Sequence, residues 1–234
     1  MTTVLVTRPA GRQDPLVAAL ESHGYRVLAV PTIAIRQLDF APPKLSEYDW
    51  IVAASAAALT SLPRLEPGPR WAVVGESTAR ALRSRGVHPD FVPSEANGAA
   101  LAGGLPDATG SRVLLVQGSS PDPDLRNGLL IRGAAVEQLF VYQTVEGPEE
   151  SRPALRCALA DGDVAAIAFA SGSAVRGFLK LGGGSDWAAI TIGPRTSIAA
   201  RAAGFDIVAE ASGRSVEEFA AVVRRALPLE VEGP

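Results

Sequence analysis

"VVGESTARALRSRG", Val73 to Gly86, reads as the end of a buried strand, a glycine turn and a helix stopped by a second glycine. "TIGPRTSIAARAAG", Thr191 to Gly204, repeats it. Gly75, Thr78, Ala81, Arg83 and Gly86 return as Gly193, Thr196, Ala199, Arg201 and Gly204, each pair 118 positions apart. On the same offset "IVAASAAAL" (51–59) aligns with "FASGSAVRG" (169–177), which places Ser55 over Ser173. At an offset of 109, "VLVTRPAGRQDPLVAALESHGYRV" (4–27) falls on "VLLVQGSSPDPDLRNGLLIRGAAV" (113–136), with Val4, Leu16, Gly24 and Val27 repeated as Val113, Leu125, Gly133 and Val136. The chain is one unit written twice.

The unit alternates two periods. "TVLVT" (3–7), "YRVLAVP" (25–31), "DWIVAAS" (49–55) and "WAVVG" (71–75) are apolar on successive residues, as strands covered on both faces are. Between them, "DPLVAALESHG" puts Leu16, Ala19 and Leu20 on one helical face, and "STARALRSRG" turns Ala79 and Leu82 inward and Arg80 and Arg83 outward. Strands alternating with helices give parallel sheets. Five strands per unit, near residues 4, 27, 51, 72 and 90 in the first copy, predict two similar flavodoxin-like α/β domains, which a plain tandem reading separates near Pro106–Gly110. A length of 234 residues holds two domains of about 100 each.

Composition removes several function classes. The net charge is −3 and no run of Lys or Arg occurs, so nucleic acid is not an expected partner. No stretch of 18 apolar residues runs uninterrupted, and the N-terminus enters a strand pattern without signal-peptide features, so the expectation is a cytoplasmic protein without a membrane segment. Cys157 is the only cysteine and is expected to be a buried, inert thiol in an amphipathic helix. His23 and His88 each lie next to a helix-ending glycine without acidic or thiol neighbours at ligand spacing, so no metal site is expected. "LGGGSDW" (181–187) has no strand before it and reads as a turn.

The repeated turns carry the chemistry. "TRPAG" (7–11), "QGSSP" (117–121), "ASAAA" (54–58), "ASGSA" (170–174), "GEST" (75–78) and "GPRT" (193–196) each follow a strand and open a helix. At that edge of a parallel sheet, helix N-termini present unpaired N–H groups and partial positive charge. Backbone amides and small hydroxyls there suit carboxylates or phosphates. Each hydroxyl read singly is equally an ordinary N-cap, worth about 1 kcal/mol. Two such edges facing each other would make a cleft for a ligand with many anionic groups.

Taken in order, "VTRPAGRQDPLVAALESHGYRVLAVPTI", "VGESTARAL", "FASGSAV", "IGPRTSIAA" and "VYQT" (141–144) resemble the uroporphyrinogen-III synthases of tetrapyrrole biosynthesis over almost the whole chain. The resemblance implies an exchanged arrangement. Residues 1–35 with 145–234 form one domain, 36–138 the other, and extended segments 30–36 and 139–144 join them. It implies a carbon–oxygen lyase that closes hydroxymethylbilane with loss of water and inversion of ring D, through an azafulvene cation and a spiro intermediate. No cofactor and no metal is implied, the protein works as a monomer, and a bilane-forming enzyme can hand over the substrate. A non-catalytic relative that senses or binds an anionic metabolite is the competing reading.

Residue by residue, the resemblance makes Tyr142 the candidate acid for hydroxyl departure. A strand aromatic packing at the linker is the structural alternative. Substrate contacts fall on Arg8, Ser55, Gly75, Ser77, Thr78, Gly118, Ser119, Ser171, Ser173, Gly193, Arg195 and Thr196. Arg195 stands where relatives often carry a small residue. It either binds a carboxylate or lies in solvent.

Overall fold

The computed structural model describes residues 2–8, 14–65, 68–160, 163–212 and 215–229. Its elements run β1 (Thr3–Val6), α1 (Pro15–Glu21), β2 (Arg26–Ala29), β3 (Ile33–Gln37), β4 (Trp50–Ala53), α2 (Ala56–Ser61), β5 (Arg70–Val73), α3 (Glu76–Arg83), α4 (Gly98–Gly104), β6 (Arg112–Gly118), α5 (Pro123–Ile131), β7 (Ala135–Glu146), α6 (Arg152–Ala160), β8 (Val164–Phe169), α7 (Gly172–Lys180), β9 (Ala188–Thr191), α8 (Pro194–Ala202), β10 (Asp206–Glu210) and α9 (Val216–Ala226).

These fold into two compact units, Met1–Ala34 with Val145–Pro234 and Ile35–Thr144. The first holds a sheet of order β10-β9-β8-β1-β2, the second a sheet of order β3-β7-β6-β4-β5. In each, a central strand (β1 or β6) sends the chain one way to β2 or β7, while the neighbouring strand on its other side (β8 or β4) continues the opposite way. That reversal is the flavodoxin-like switch point. The pairs β1–β2, β1–β8, β8–β9, β9–β10, β4–β5, β4–β6 and β6–β7 are parallel.

Successive residues of a strand feed opposite faces. Leu5 joins Ile167, Phe169, Phe178 and Phe205 beneath one face of the first sheet, and Val4 and Val6 join Leu16 and Phe219 beneath the other. In the second unit Ile51, Leu114 and Val116 face one side, and Trp50, Val52, Val113 and Leu115 the other. Such strands must be apolar throughout. The repeat is also visible in register: Val4 pairs with Val27 across β1–β2, and their counterparts Val113 and Val136 pair across β6–β7. Gly24 and Gly133, at φ +88° and +80°, end α1 and α5 in the left-handed conformation that glycine adopts without a steric penalty.

Three sequence expectations are corrected. Ser55 matches Ser171, not Ser173, because both cap the helix after the strand: Ser55 accepts the Ala58 N–H and Ser171 the Ala174 N–H. The offset slips because Ala53 pairs with Val73 but Phe169 with Thr191, leaving two more residues between partners in the second copy. The fifth strand near residue 90 shrinks to a single bridge between Ala72 and Phe91. Cys157 is exposed, since α6 turns Leu155 and Ala158 inward and the thiol outward. Among the described residues no helix is long and apolar enough to cross a membrane.

Candidate functional site

Five of the six predicted turns are described, and all open helices at the carboxyl ends of strands. Of "TRPAG", the segment from residue 9 onward lies outside the described residues, but Arg8 is placed. Its Nε is 2.6 Å from Asp14 Oδ2, and the other Asp14 oxygen accepts the Leu16 N–H at 2.8 Å as the N-cap of α1. The guanidinium is therefore already held by a carboxylate of its own chain.

In the second unit the switch point lies between β6 and β4, and four predicted residues meet there. The Ser55 and Tyr142 hydroxyls are 3.0 Å apart, and Ser55 Oγ also accepts the Ala58 N–H at 3.1 Å. Gly118 lies under the Tyr142 ring. A Cβ built on it would stand 2.8 Å from both Cε2 and Cζ. Ser119, exposed, donates its backbone N–H to the Tyr142 carbonyl at 2.9 Å. The hydroxyl pair joins residues 87 apart in sequence, so no local pattern announces it.

In the first unit Ser171, Gly193, Arg195 and Thr196 line one pocket of about 540 Å³ with Ala170 and Ser212. Arg195 is exposed, whereas Thr196 is 5% exposed at the first turn of α8. Ser173 bonds the Ser171 hydroxyl at 2.9 Å. The buried Thr191 and Ser197 hydroxyls, 2.6 Å apart, tie the end of β9 to α8. That bond fixes the helix N-terminus against the sheet.

Gly75 and Gly193 are the N-caps of α3 and α8 and supply no side-chain acceptor. At α3 the Glu76 and Ser77 N–H groups have no backbone partner among the described residues, whereas at α8 Pro194 has no N–H and the Thr196 N–H is bonded to the Gly193 carbonyl at 3.0 Å. Ser77 is exposed on α3, whereas Thr78 is 2% exposed and packs into the unit.

A family model described as uroporphyrinogen-III synthase HemD matches residues 14–221. The chain belongs to the uroporphyrinogen-III synthase family. It is 30% identical over 226 residues to the uroporphyrinogen-III synthase of Synechococcus elongatus, covering 84% of each chain. It is 33% identical over 219 residues to the chloroplastic uroporphyrinogen-III synthase of Oryza sativa subsp. japonica, covering 85% of this chain and 72% of the relative. The uroporphyrinogen-III synthase fold recurs in solved structures. That of Helicobacter pylori superposes with a TM-score of 0.69 at 16% identity, covering 97% of this chain and 100% of the other. A mutant Thermus thermophilus enzyme gives 0.62 at 22% identity, covering 97% and 98%.

Sequence reading missed two partners within the site. One is Asp14, which pairs with Arg8 as well as capping α1. The Gly118–Tyr142 contact follows from an irregular register, in which Gln117 faces Phe140 but Gly118 faces Tyr142.

Proposed function

We propose that this chain is a uroporphyrinogen-III synthase: a hydro-lyase that closes hydroxymethylbilane with loss of water and inversion of ring D. The observation that carries the reading is a family match over nearly the whole chain, in which a phenol and a serine hydroxyl lie 3.0 Å apart at a sheet switch point. In this reading the edge of each unit holds carboxylates of the bilane. The first-turn amides of α3, with Ser77, Ser119, Ser171 and Arg195, are the contacts, and Arg8 serves mainly to pair with Asp14. Orienting a flexible substrate supplies most of the rate, because a fixed geometry replaces entropy that the free bilane would lose. Tyr142 protonates the departing hydroxyl. The enzyme is taken to act as a monomer in the cytoplasm, receiving the bilane from the enzyme that forms it.

The test is to supply hydroxymethylbilane and separate the uroporphyrinogen isomers. The inverted isomer in excess over a protein-free control supports the reading. The uninverted isomer alone, with the bilane bound but unconverted, would favour a binding protein.

A further inference from the structure

We propose that Gly118 and Ser55 form a two-sided seat for the Tyr142 phenol and act on the reaction through it, as positioning residues rather than as carboxylate ligands. The proposal rests on the reading of Tyr142 given above. Three independent features of the second unit build the seat.

First, the β6–β7 ladder breaks its register between Gln117 and Gly118, passing over Val141 so that Gly118 lies opposite Tyr142. The Ser119 N–H then closes on the Tyr142 carbonyl at 2.9 Å and fixes the backbone that carries the ring. Second, the ring rests on the bare Cα of residue 118. A Cβ would approach Cε2 and Cζ to 2.8 Å and the phenol oxygen to 3.1 Å, well inside contact distance. Positive-φ glycines occur elsewhere in the chain but Gly118 is not one of them, so what requires glycine here is the ring and not the backbone. Third, the Ser55 oxygen accepts the Ala58 N–H, which pins it to the first turn of α2 while it bonds the phenol. In the first unit the equivalent Ser171 hydroxyl bonds Ser173 and serves no phenol.

With Ser55 donating to the phenol oxygen, the phenol proton is free to go to the departing hydroxyl. That group leaves as water with the electron pair of the broken C–O bond. The Ser55 O–H then stabilises the phenolate, which recovers a proton when the newly closed pyrrole loses its own. The cycle releases water alone.

The experiment compares Tyr142→Phe, Ser55→Ala, Ser55→Thr, Gly118→Ala and the double variant Ser55→Ala/Tyr142→Phe. Each is assayed for kcat, KM and isomer ratio with hydroxymethylbilane. Each is also labelled with ¹³Cζ-tyrosine, whose Tyr142 resonance is assigned by its loss in Tyr142→Phe. Ser55→Ala and Gly118→Ala are expected to lower kcat by about tenfold or more, a part of what a general acid supplies, with KM within about twofold. Ser55→Thr, which keeps hydroxyl and cap, restores the rate. Removing Ser55 in the Tyr142→Phe background costs nothing further, and the Tyr142 resonance moves in both seat variants.

A raised KM at unchanged kcat, or losses that multiply in the double variant, would place Ser55 on the substrate and overturn the proposal. An unmoved Tyr142 resonance in both seat variants overturns it as well, and that measurement needs no turnover. A wild-type rate and isomer ratio in Tyr142→Phe instead removes the acid role itself. A wild-type chain that yields no inverted isomer removes the activity.

Discussion

Arg8 pairs with Asp14, Nε to Oδ2 at 2.6 Å, while Asp14 Oδ1 caps α1 through the Leu16 N–H. One carboxylate thus performs two tasks. Asp14→Ala is expected to destabilise the protein by about 1–2 kcal/mol, most of it the lost cap. Asp14→Asn, which keeps an acceptor for the cap, costs less. Arg8→Ala should lower the urea midpoint with little change in KM. A KM raised about tenfold by Arg8→Ala, with the midpoint unchanged, would return Arg8 to substrate binding.

Gly75 and Gly193 are counterparts in sequence and in cap geometry, yet their surroundings differ. A Cβ on Gly75 would meet the Ala96 methyl at 2.8 Å, whereas one on Gly193 meets nothing nearer than the Ala211 carbonyl at 3.7 Å. Both backbones are extended, so neither position is strained by conformation. Gly75→Ala is expected to destabilise by about 1–3 kcal/mol as Ala96 is pushed aside. Gly193→Ala should fold like wild type and, because the methyl enters the lining of the 540 Å³ pocket, act on KM instead. Thermal midpoints and KM values for the pair would reveal the asymmetry, and equal midpoints would contradict it.

The sheet architecture was legible because burial on both faces leaves an unmistakable pattern: Val4-Leu5-Val6 and Val113-Leu114-Leu115-Val116 are apolar without interruption, and both are buried. The turns were legible for the same reason, since each must follow such a run. What escaped were relations that depend on loop length and strand overrun. The two extra residues between Phe169 and Thr191 displaced the Ser55 equivalence by two residues, from Ser171 to Ser173. Ser55 meets Tyr142 only because β7 runs on to Glu146, far beyond the pairing its repeat partner β2 makes. Thr78 and Thr196 recur faithfully as a pair, and both are largely buried in a first helical turn, though Thr196 also lines the pocket of the first unit. A repeated hydroxyl marks a repeated structural need as readily as a ligand.

Arg195 supplies the cationic side chain of its pocket and lies exposed at its rim, with Ser171 and Gly193 beside it. Arg195→Ala is expected to raise KM for the bilane by about two- to fivefold with kcat unchanged, the scale of one solvent-screened ionic contact. The wild-type KM should climb with salt more steeply than that of the variant, because only the wild type loses a screened pair. Parallel salt dependences would show that Arg195 does not meet the substrate. Ser171→Ala tests a different term. It removes the cap of α7 and should cost about 1 kcal/mol of stability.

Glu146 ends β7 where the chain enters the first unit, and it draws two cations from α7: Arg176 Nε at 2.8 Å and Lys180 Nζ at 2.9 Å. Next to it the Gly147 N–H donates to the Thr32 carbonyl, and Gly177 leaves no room for a Cβ beside that same oxygen. Burial alone would raise the Glu146 pKa, but the hydrogen bonds from Arg176 and Lys180 outweigh it and hold the carboxyl below its ordinary value. A carboxylate depressed in the folded state binds its proton more readily when unfolded, so its contribution is complete above the unfolded pKa and is lost as pH falls through the folded one. Arg176 and Lys180 are more than half exposed, which limits the contribution to about 1 kcal/mol at low salt. Glu146→Gln should therefore be less stable than wild type at neutral pH by up to about that amount. The two should converge only at acid pH below the depressed folded-state pKa of Glu146, where both carry a neutral group at this position. Urea midpoints across that range decide the matter: a gap that stays constant down to acid pH would mean that shape, not charge, holds the end of β7 to α7.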